Sequence, residues 1–306
     1  MKNKDNAIRY SFVIPAYNYA GYIACAIDSV LEQSVSRNDV EVVVIDDGST
    51  DGTWDVLIVK ANLDKRLRVF RQENQGPSAA RNAGGAKARG KFLWFLDADD
   101  RLAEGAVCAM DLALDEFDDA DMVFGGYQPF QDDIKKKPKI PHRGVRLRDE
   151  IFKKTIFSDA KGLCVGSSVI RKELFQAIRF PLGVHNGEDA VMYSLLVAIG
   201  RVYSVDKIMV FTRRHGESLR GNIDMNIKSG YAAASILFEN DLLPASLKKY
   251  ENPFLAYRFL EMSRLYYHQD MYSEAIKAYL EAIKIYFPSI LKVSYMRKFL
   301  KAAAKK

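Results

Sequence analysis

Up to residue 126 the chain alternates short apolar runs with stretches whose apolar positions recur every three or four residues. The stretch "YSFVIPAYN" reads as a strand, residues 20–34 as a helix, "VEVVVIDDGST" as a strand and 52–61 as a helix. "RLRVF" predicts a third strand, 77–89 a helix, "KFLWFLDADD" a fourth strand, 103–117 a helix and "DMVFGGY" a fifth strand. Runs rich in Val, Ile and Phe that alternate with helical segments imply βαβ units and a mostly parallel sheet covered on both faces. The fold class expected is therefore α/β, Rossmann-like, with flanking helices.

The rhythm breaks after residue 128. "QDDIKKKPKIPHRGVRLRDE" carries a Lys run and prolines, and predicts a mobile basic loop within 128–165. "GEDAVMYSLLVAIG" then reads as a helix opened by acids, "RVYSVD" as a strand, and "VFTRRHGES" as another strand entering a polar loop. A sheet domain over 1–220 and a helical region over 221–306 follow. Within the latter, 255–287 resembles one tetratricopeptide-type hairpin through Phe259, Met262, Tyr266, Ala275, Tyr279 and Ala282, with Ser263 where Gly is usual and Pro288 one place late. Such a hairpin cannot bury its own face and needs the sheet domain or a partner. The end, 288–306, sets Arg297, Lys298, Lys301 and Lys305 on one arc against Leu291, Val293, Met296, Phe299 and Leu300. It reads as an interfacial helix for anionic lipid, or as a basic tail docked on its own domain.

Composition narrows the setting. With 306 residues, 48% hydrophobic and 27% charged, the chain has material for a folded core. A net charge of +6 points to an anionic partner without naming it. Cys25, Cys108 and Cys164 stand apart, which argues against a thiolate zinc site or a disulfide framework and predicts small buried side chains in a reducing compartment. No signal-peptide pattern or membrane-spanning run is seen, so the expectation is a cytoplasmic protein, with peripheral contact to the inner face of the cell membrane through 288–306.

The candidate chemistry lies where strands end. Ligands of parallel α/β sheets bind beyond the carboxyl ends of the strands, and polar loops follow three of them: "PAYN", "DDGST" and "DADD". Strand alternation would aim Asp97 and Asp99 the same way and Asp100 the other, with Asp100 capping a helix that starts near Arg101. Two converging carboxylates without nearby His or Cys suit Mg²⁺ or Mn²⁺, ions commonly held by one or two carboxylates together with substrate phosphates.

Taken together, "VIPAYN", "VVVIDDGSTDGT", "NQGPSAARNAGGAKARGKFLWFLDADD" and "NGEDAVMYSLL" resemble, in order and spacing, the motifs of family 2 glycosyltransferases of the GT-A fold, over roughly residues 8–215. The resemblance implies an inverting enzyme that moves a sugar from a nucleoside diphosphate donor, expected to be a UDP-sugar, to a hydroxyl on a glycan or lipid-linked acceptor in bacterial surface polysaccharide synthesis. By motif position, Pro15, Ala16 and Tyr17 would hold the base, and one of Asp46 and Asp47 would read it. Gly76 and Arg81 of "GPSAARN" would lie near the nucleotide, as would Asp97 and Ala98. Asp99 would bind the metal, with His215 of "TRRHGES" a second ligand or a diphosphate contact beside Arg213 and Ser218. Asp189 matches the base that deprotonates the acceptor, with Glu188 beside it and His185 near enough in sequence to line the acceptor site. The segment "GLCVGSSVIRKELF" departs from the common pattern, which leaves the sugar open.

Two other readings compete. A sugar nucleotidyltransferase would share the sheet and the metal carboxylates, but would carry a Gly-rich basic loop after the first strand, unlike "PAYNYAGY". A non-catalytic module binding nucleic acid or protein would leave the ordered carboxylates without purpose; the favoured reading has no nucleic-acid partner.

Overall fold

The computed structural model describes residues 7–132, 134–157, 160, 162–184, 187–214 and 232–305. The chain divides into two compact units: Met1–Ile151, Ala160–Leu182 and Gly200–Gly216 form the first, and Phe152–Asp159, Gly183–Ile199 and Glu217–Lys306 the second.

In the first unit the alternation materialises as β1 (Tyr10–Ala16), α1 (Ile23–Leu31), β2 (Val40–Asp46), α2 (Thr53–Leu63), β3 (Leu67–Arg71), α3 (Pro77–Lys87), β4 (Phe92–Phe95), β5 (Arg101–Leu102), α4 (Ala106–Glu116) and β6 (Met122–Gln131). Short β7 (Ile134–Lys135) and β8 (Gly144–Val145) follow, then β9 (Ser168–Arg171), α6 (Lys172–Ala177) and β10 (Val202–Arg213); of the two intervening helices, α5 (Arg148–Ile156) is divided between the units and α7 (Glu188–Ile199) belongs to the second. The main path of the sheet runs β3-β2-β1-β4-β9-β6-β10-β5. β1 is parallel to β2 and β4, and β2 to β3. Every residue of β1 and β2 is buried, as expected of central parallel strands covered on both faces.

Besides the short β5, an unforeseen strand antiparallel to β10, the sheet departs from expectation in three places. β9, unforeseen in "GSSVIRKELF", inserts antiparallel between β4 and β6. The two strands expected in 201–218 are one, β10, whose pairing with β6 shifts between Ser204 and Ile208. Asp206 and Lys207 are exposed at that irregularity, which made one strand read as two. The segment expected as a mobile basic loop is in part ordered. Asp132 takes a left-handed φ of 49° and turns β6 back into β7, β8 pairs with β10, and Tyr127 bridges Lys139. Lys135 lies over the Phe211 ring and Lys139 over Tyr127, so basic side chains cover aromatic faces and keep their charged ends wet. Backbone pairing at a sheet edge needs no apolar pattern, and periodicity therefore missed it.

The core carries Phe12 stacked on Trp94 at 4.9 Å between centroids, and Trp94 Nε1 donates to the Gly166 carbonyl over 2.8 Å. Contrary to expectation, Cys25 and Cys108 are exposed and Cys164 only partly covered by surface area.

The second unit holds α7, helical residues 232–238 (α8), α9 (Glu251–His268), α10 (Tyr272–Ile285) and α11 (Val293–Lys305). The six residues that suggested a hairpin all lie in its buried cluster. Ser263, standing at the usual Gly position, donates its hydroxyl to the Ala275 carbonyl across the two helices, 2.8 Å away. The hairpin's open face is covered by its own chain: Tyr295, Met296 and Phe299 of α11 pack on the cluster, and Phe299 stacks on Tyr279 at 4.6 Å. Among the described residues no helix is long and apolar enough to cross a membrane.

Candidate active site

Because β2, β1 and β4 are neighbours in one parallel block, the loops after them gather at a single edge. The first two loops clasp each other. Asn18, at a left-handed φ of 59° that Asn tolerates, donates its N–H to Ser49 Oγ over 3.0 Å and accepts the Thr50 N–H on Oδ1 at 2.8 Å. Thr53 Oγ1 accepts from the Tyr19 N–H at 2.9 Å, and Asp51 accepts from the Ala20 N–H at 3.0 Å. Pro15 and Ala16 thereby end a buried strand, while Tyr17 stands 45% exposed with its ring open for stacking.

The acids that end and follow β2, Asp46 and Asp47, are both buried and engaged. Asp46 accepts the Ser49 N–H at 3.2 Å and faces Arg71 Nε at 3.1 Å. Asp47 accepts from the Gln75 N–H at 3.0 Å, the Gly76 N–H at 2.8 Å and Gln72 Nε2 at 2.8 Å. Asp47 thus shapes the loop that delivers α3, where Gly76 takes the left-handed φ of 88° that precedes Pro77. Helix α3 sits tight on the sheet: a methyl group at Gly84 would come 2.3 Å from Val13 Cγ1. That close seat carries Arg81 to the edge where the loops collect.

After β4 the chain does not stay extended. It turns, with the Asp100 N–H donating to the Asp97 carbonyl at 3.0 Å, so strand alternation does not govern where Asp97, Asp99 and Asp100 point. Nor does Asp100 cap a helix: β5 follows it, and α4 begins only at Ala106 behind Gly105. Its carboxylate instead accepts the Arg213 N–H from the end of β10 at 2.8 Å. Arg213 Nε also donates to the Asp99 carbonyl at 3.3 Å, and its guanidinium lies over Tyr22 and Phe130. Arg81 donates to Asp97 Oδ1 at 2.8 Å, and Ala98 is buried between the acids.

The acids of this turn act on one another and on the groups beside them. Burial, then Asp97 and Asp99, push Asp100 well above the usual carboxylate range, against the hydrogen bond from Arg213. The Tyr19 hydroxyl is pushed up by burial and by Asp99, Asp97 and Asp100 in that order. The Cys164 thiol is pushed up to about 12 by burial, with Asp100 and Asp97 adding to it against a hydrogen bond from Ser167. Tyr19 and Cys164 were missed in the sequence: nothing local marks a tyrosine as facing acids eighty residues on. The unusual segment around "GLCVGSS" does touch this region, through Cys164 and through Gly166 on Trp94.

Carboxylates gathered in one turn suit a divalent cation. Among the described residues no three His, Cys, Asp or Glu side chains converge in a cage. Arg81 holds Asp97 and the β10 backbone holds Asp100, and the carboxylate oxygens of this turn are hard donors of the kind such an ion takes together with phosphate and water oxygens.

Asp189 belongs to the second unit, in the first turn of α7 after Gly187, which has φ 95°. Its Oδ1 accepts the Ala190 N–H at 2.7 Å, which fixes the carboxylate at the helix start with Glu188 beside it. Arg258 of α9, also unforeseen, packs against this turn: a methyl group at Gly187 would lie 3.7 Å from Arg258 Nη2. Burial lowers the Arg258 guanidinium from its ordinary value, against the attraction of Tyr257, Glu261 and Asp189. His185, His215 and Ser218 lie outside the described residues.

Residues 11–179 match the family described as Glycosyl transferase family 2. The chain is 26% identical over 293 residues, 90% of its own length and 95% of the relative's, to glycosyltransferase GlyG of Streptococcus pneumoniae serotype 4. It is 30% identical over 220 residues to the minor teichoic acid biosynthesis protein GgaA of Bacillus subtilis, covering 68% of this chain but only 48% of GgaA. Its fold is similar to S. aureus TarS 1-349 in complex with UDP-GlcNAc, with TM-score 0.65, 20% identity and coverage of 96% and 89% of the two chains. It is also similar to the mannosyltransferase PcManGT of Pyrobaculum calidifontis in complex with GDP-Man and Mn²⁺, with TM-score 0.58, 17% identity and coverage of 98% and 88%.

Proposed function

We propose that this chain, which belongs to glycosyl transferase family 2 and has the GT-A fold, is an inverting, metal-dependent enzyme that transfers a sugar from a UDP-sugar to an acceptor hydroxyl. The observation that carries the reading is the turn of three carboxylates at the end of β4, with Arg81 of α3 paired to one of them. The acceptor proposed is a glycan or lipid-linked oligosaccharide of a bacterial surface polymer, in keeping with the teichoic acid relative. The place proposed is the inner face of the cell membrane, reached through 288–306.

In this reading Tyr17 stacks on the base, with Pro15 and Ala16 fixing its height, and the loop ordered by Asp46 and Asp47 closes around the uracil edge. Arg81 and the first turn of α3 present positive charge to the nucleotide, as helix N-termini do for anions. Asp97 and the backbone at Ala98 take the ribose side. A divalent cation bound through Asp99 would supply positive charge at the departing diphosphate. Arg213 holds the acid turn by its N–H and Nε, so the carboxylates keep their places as substrate binds.

Asp189 removes the proton from the acceptor hydroxyl while the oxygen attacks the anomeric carbon from the face opposite the nucleotide. The attack forms the C–O bond as the bond to the diphosphate breaks, and the configuration inverts. A carboxylate fixed by the Ala190 N–H keeps its second oxygen for that task.

A panel of nucleotide sugars, assayed with and without Mn²⁺ for transfer and for thermal stabilisation, tests this directly. A UDP-sugar that stabilises the protein and is turned over only with the cation is the expected result. Indifference to every nucleotide sugar would remove the proposal.

A further inference from the structure

The basic end of the chain contains a built groove of about 400 Å³, lined by Tyr267 and His268 from the last turn of α9 and by Ser294, Arg297, Lys298 and Lys301 of α11. Arg297, Lys298 and Lys301 sit within little more than one turn of helix. Among the described residues no carboxylate pairs with any of these three, whereas Lys305 on the same arc donates to the Tyr272 hydroxyl at 2.9 Å. Like charges one turn apart repel, so three such cations around one concavity are relieved by an anion that enters it.

What surrounds the groove narrows the anion. The inner face of α11 is already used, since Tyr295, Met296, Phe299 and Ala302 are covered by α9 and α10. An interfacial helix that lays its whole apolar side in lipid is therefore not what this structure presents. On α11 two large apolar side chains are left outside, Val293 at 51% and Leu300 at 57% exposed. They stand one turn before and one turn after Arg297, on the face that carries it. A free phosphate or a soluble polyanion gives them no role; a lipid surface gives the cations a phosphate and the two side chains an acyl boundary.

We propose that the groove seats the phosphate of an anionic phospholipid headgroup, with Arg297, Lys298 and Lys301 as its donors and Val293 and Leu300 dipping into the adjoining interface. The inference rests on the membrane location proposed above and gives that location a site. It also changes the mode of attachment from an inserted amphipathic helix to headgroup recognition by a helix that stays docked on its hairpin.

The test is co-sedimentation of the full chain with phosphatidylcholine vesicles, with or without about a third phosphatidylglycerol. Wild type is expected to bind only the anionic vesicles, and R297Q/K298Q/K301Q to lose roughly a hundredfold in affinity, as three cations near such a surface would give. V293S/L300S is expected to lose several-fold on the same vesicles. All five side chains stand outside the buried core, and unchanged melting and UDP affinity would confirm that both variants are folded. Wild type that ignores phosphatidylglycerol overturns the membrane location together with this proposal. Wild type that binds while the triple variant binds equally well overturns the groove alone. Full displacement by soluble poly(glycerol phosphate), with V293S/L300S binding like wild type, overturns the lipid as occupant.

Discussion

The Arg81 guanidinium donates to Asp97 Oδ1 over 2.8 Å, joining a side chain 7% exposed on α3 to one 36% exposed in the acid turn after β4. The pair lets a third carboxylate stand beside Asp99 and Asp100. Arg81→Met leaves Asp97 uncompensated, with an expected loss of about 1–3 kcal/mol in urea unfolding. UDP affinity should fall by tenfold or more in calorimetric titration. Arg81→Lys is expected to recover only part, because an ammonium lacks the planar fork.

Asp189→Asn keeps the size of the side chain and its hydrogen bond from the Ala190 N–H, and removes the capacity to take a proton. Transfer is expected to fall by about 10²–10⁴ while donor affinity stays within twofold. Retained turnover would release Asp189 from the role of base.

Chelation should abolish transfer, and added Mn²⁺ or Mg²⁺ should restore it. Asp99→Asn is expected to raise the Mn²⁺ concentration at half-activity by at least tenfold, with the thermal transition of the free protein little changed. The combined readout separates loss of an ion ligand from loss of the fold.

Glu41 supplies a pH dependence far from the site. Burial opposes its charge, but hydrogen bonds from Ser11 Oγ at 2.7 Å, the Arg89 N–H at 2.6 Å and Arg68 at 2.9 Å outweigh it and hold the carboxyl below its ordinary 4.5. A carboxyl lowered by folding stabilises above its unfolded value and loses that stabilisation as pH falls through its folded value. Glu41→Gln should cost about 1–3 kcal/mol at pH 7 and flatten the stability curve below pH 4.5, as read by denaturant melts across that range.

Gly84→Ala adds a methyl 2.3 Å from Val13 Cγ1. Overpacking at that contact is expected to cost about 1–3 kcal/mol, more than the roughly 1 kcal/mol that alanine gains in a helix interior. A G84A/V13A double variant should recover part of the loss, as contacting sites are not additive.

Where a single stretch carries the information, the sequence was sufficient. The predominantly apolar runs of β1, β2 and β4 identified parallel strands buried on both faces, and the loops after them located the acids, because burial on two sides leaves few polar positions in a strand and those few, such as Ser11 and Glu41, are hydrogen-bonded to each other. The i, i+3, i+4 rhythm of α9 and α10 likewise foretold which residues form the hairpin core. Only the tertiary structure decided who meets those elements. Asp100 looked like a helix cap, yet its partner is the Arg213 N–H, 113 residues later; Trp94 looked only apolar, yet its N–H is held by Gly166. The apolar face of α11, legible as a face, turned out to be covered by Tyr279 and its neighbours. Periodicity states that a side chain leaves water, since that depends on the local repeat. What covers it, and which distant backbone group satisfies a buried acid, depends on chain crossings and strand order that no local pattern contains.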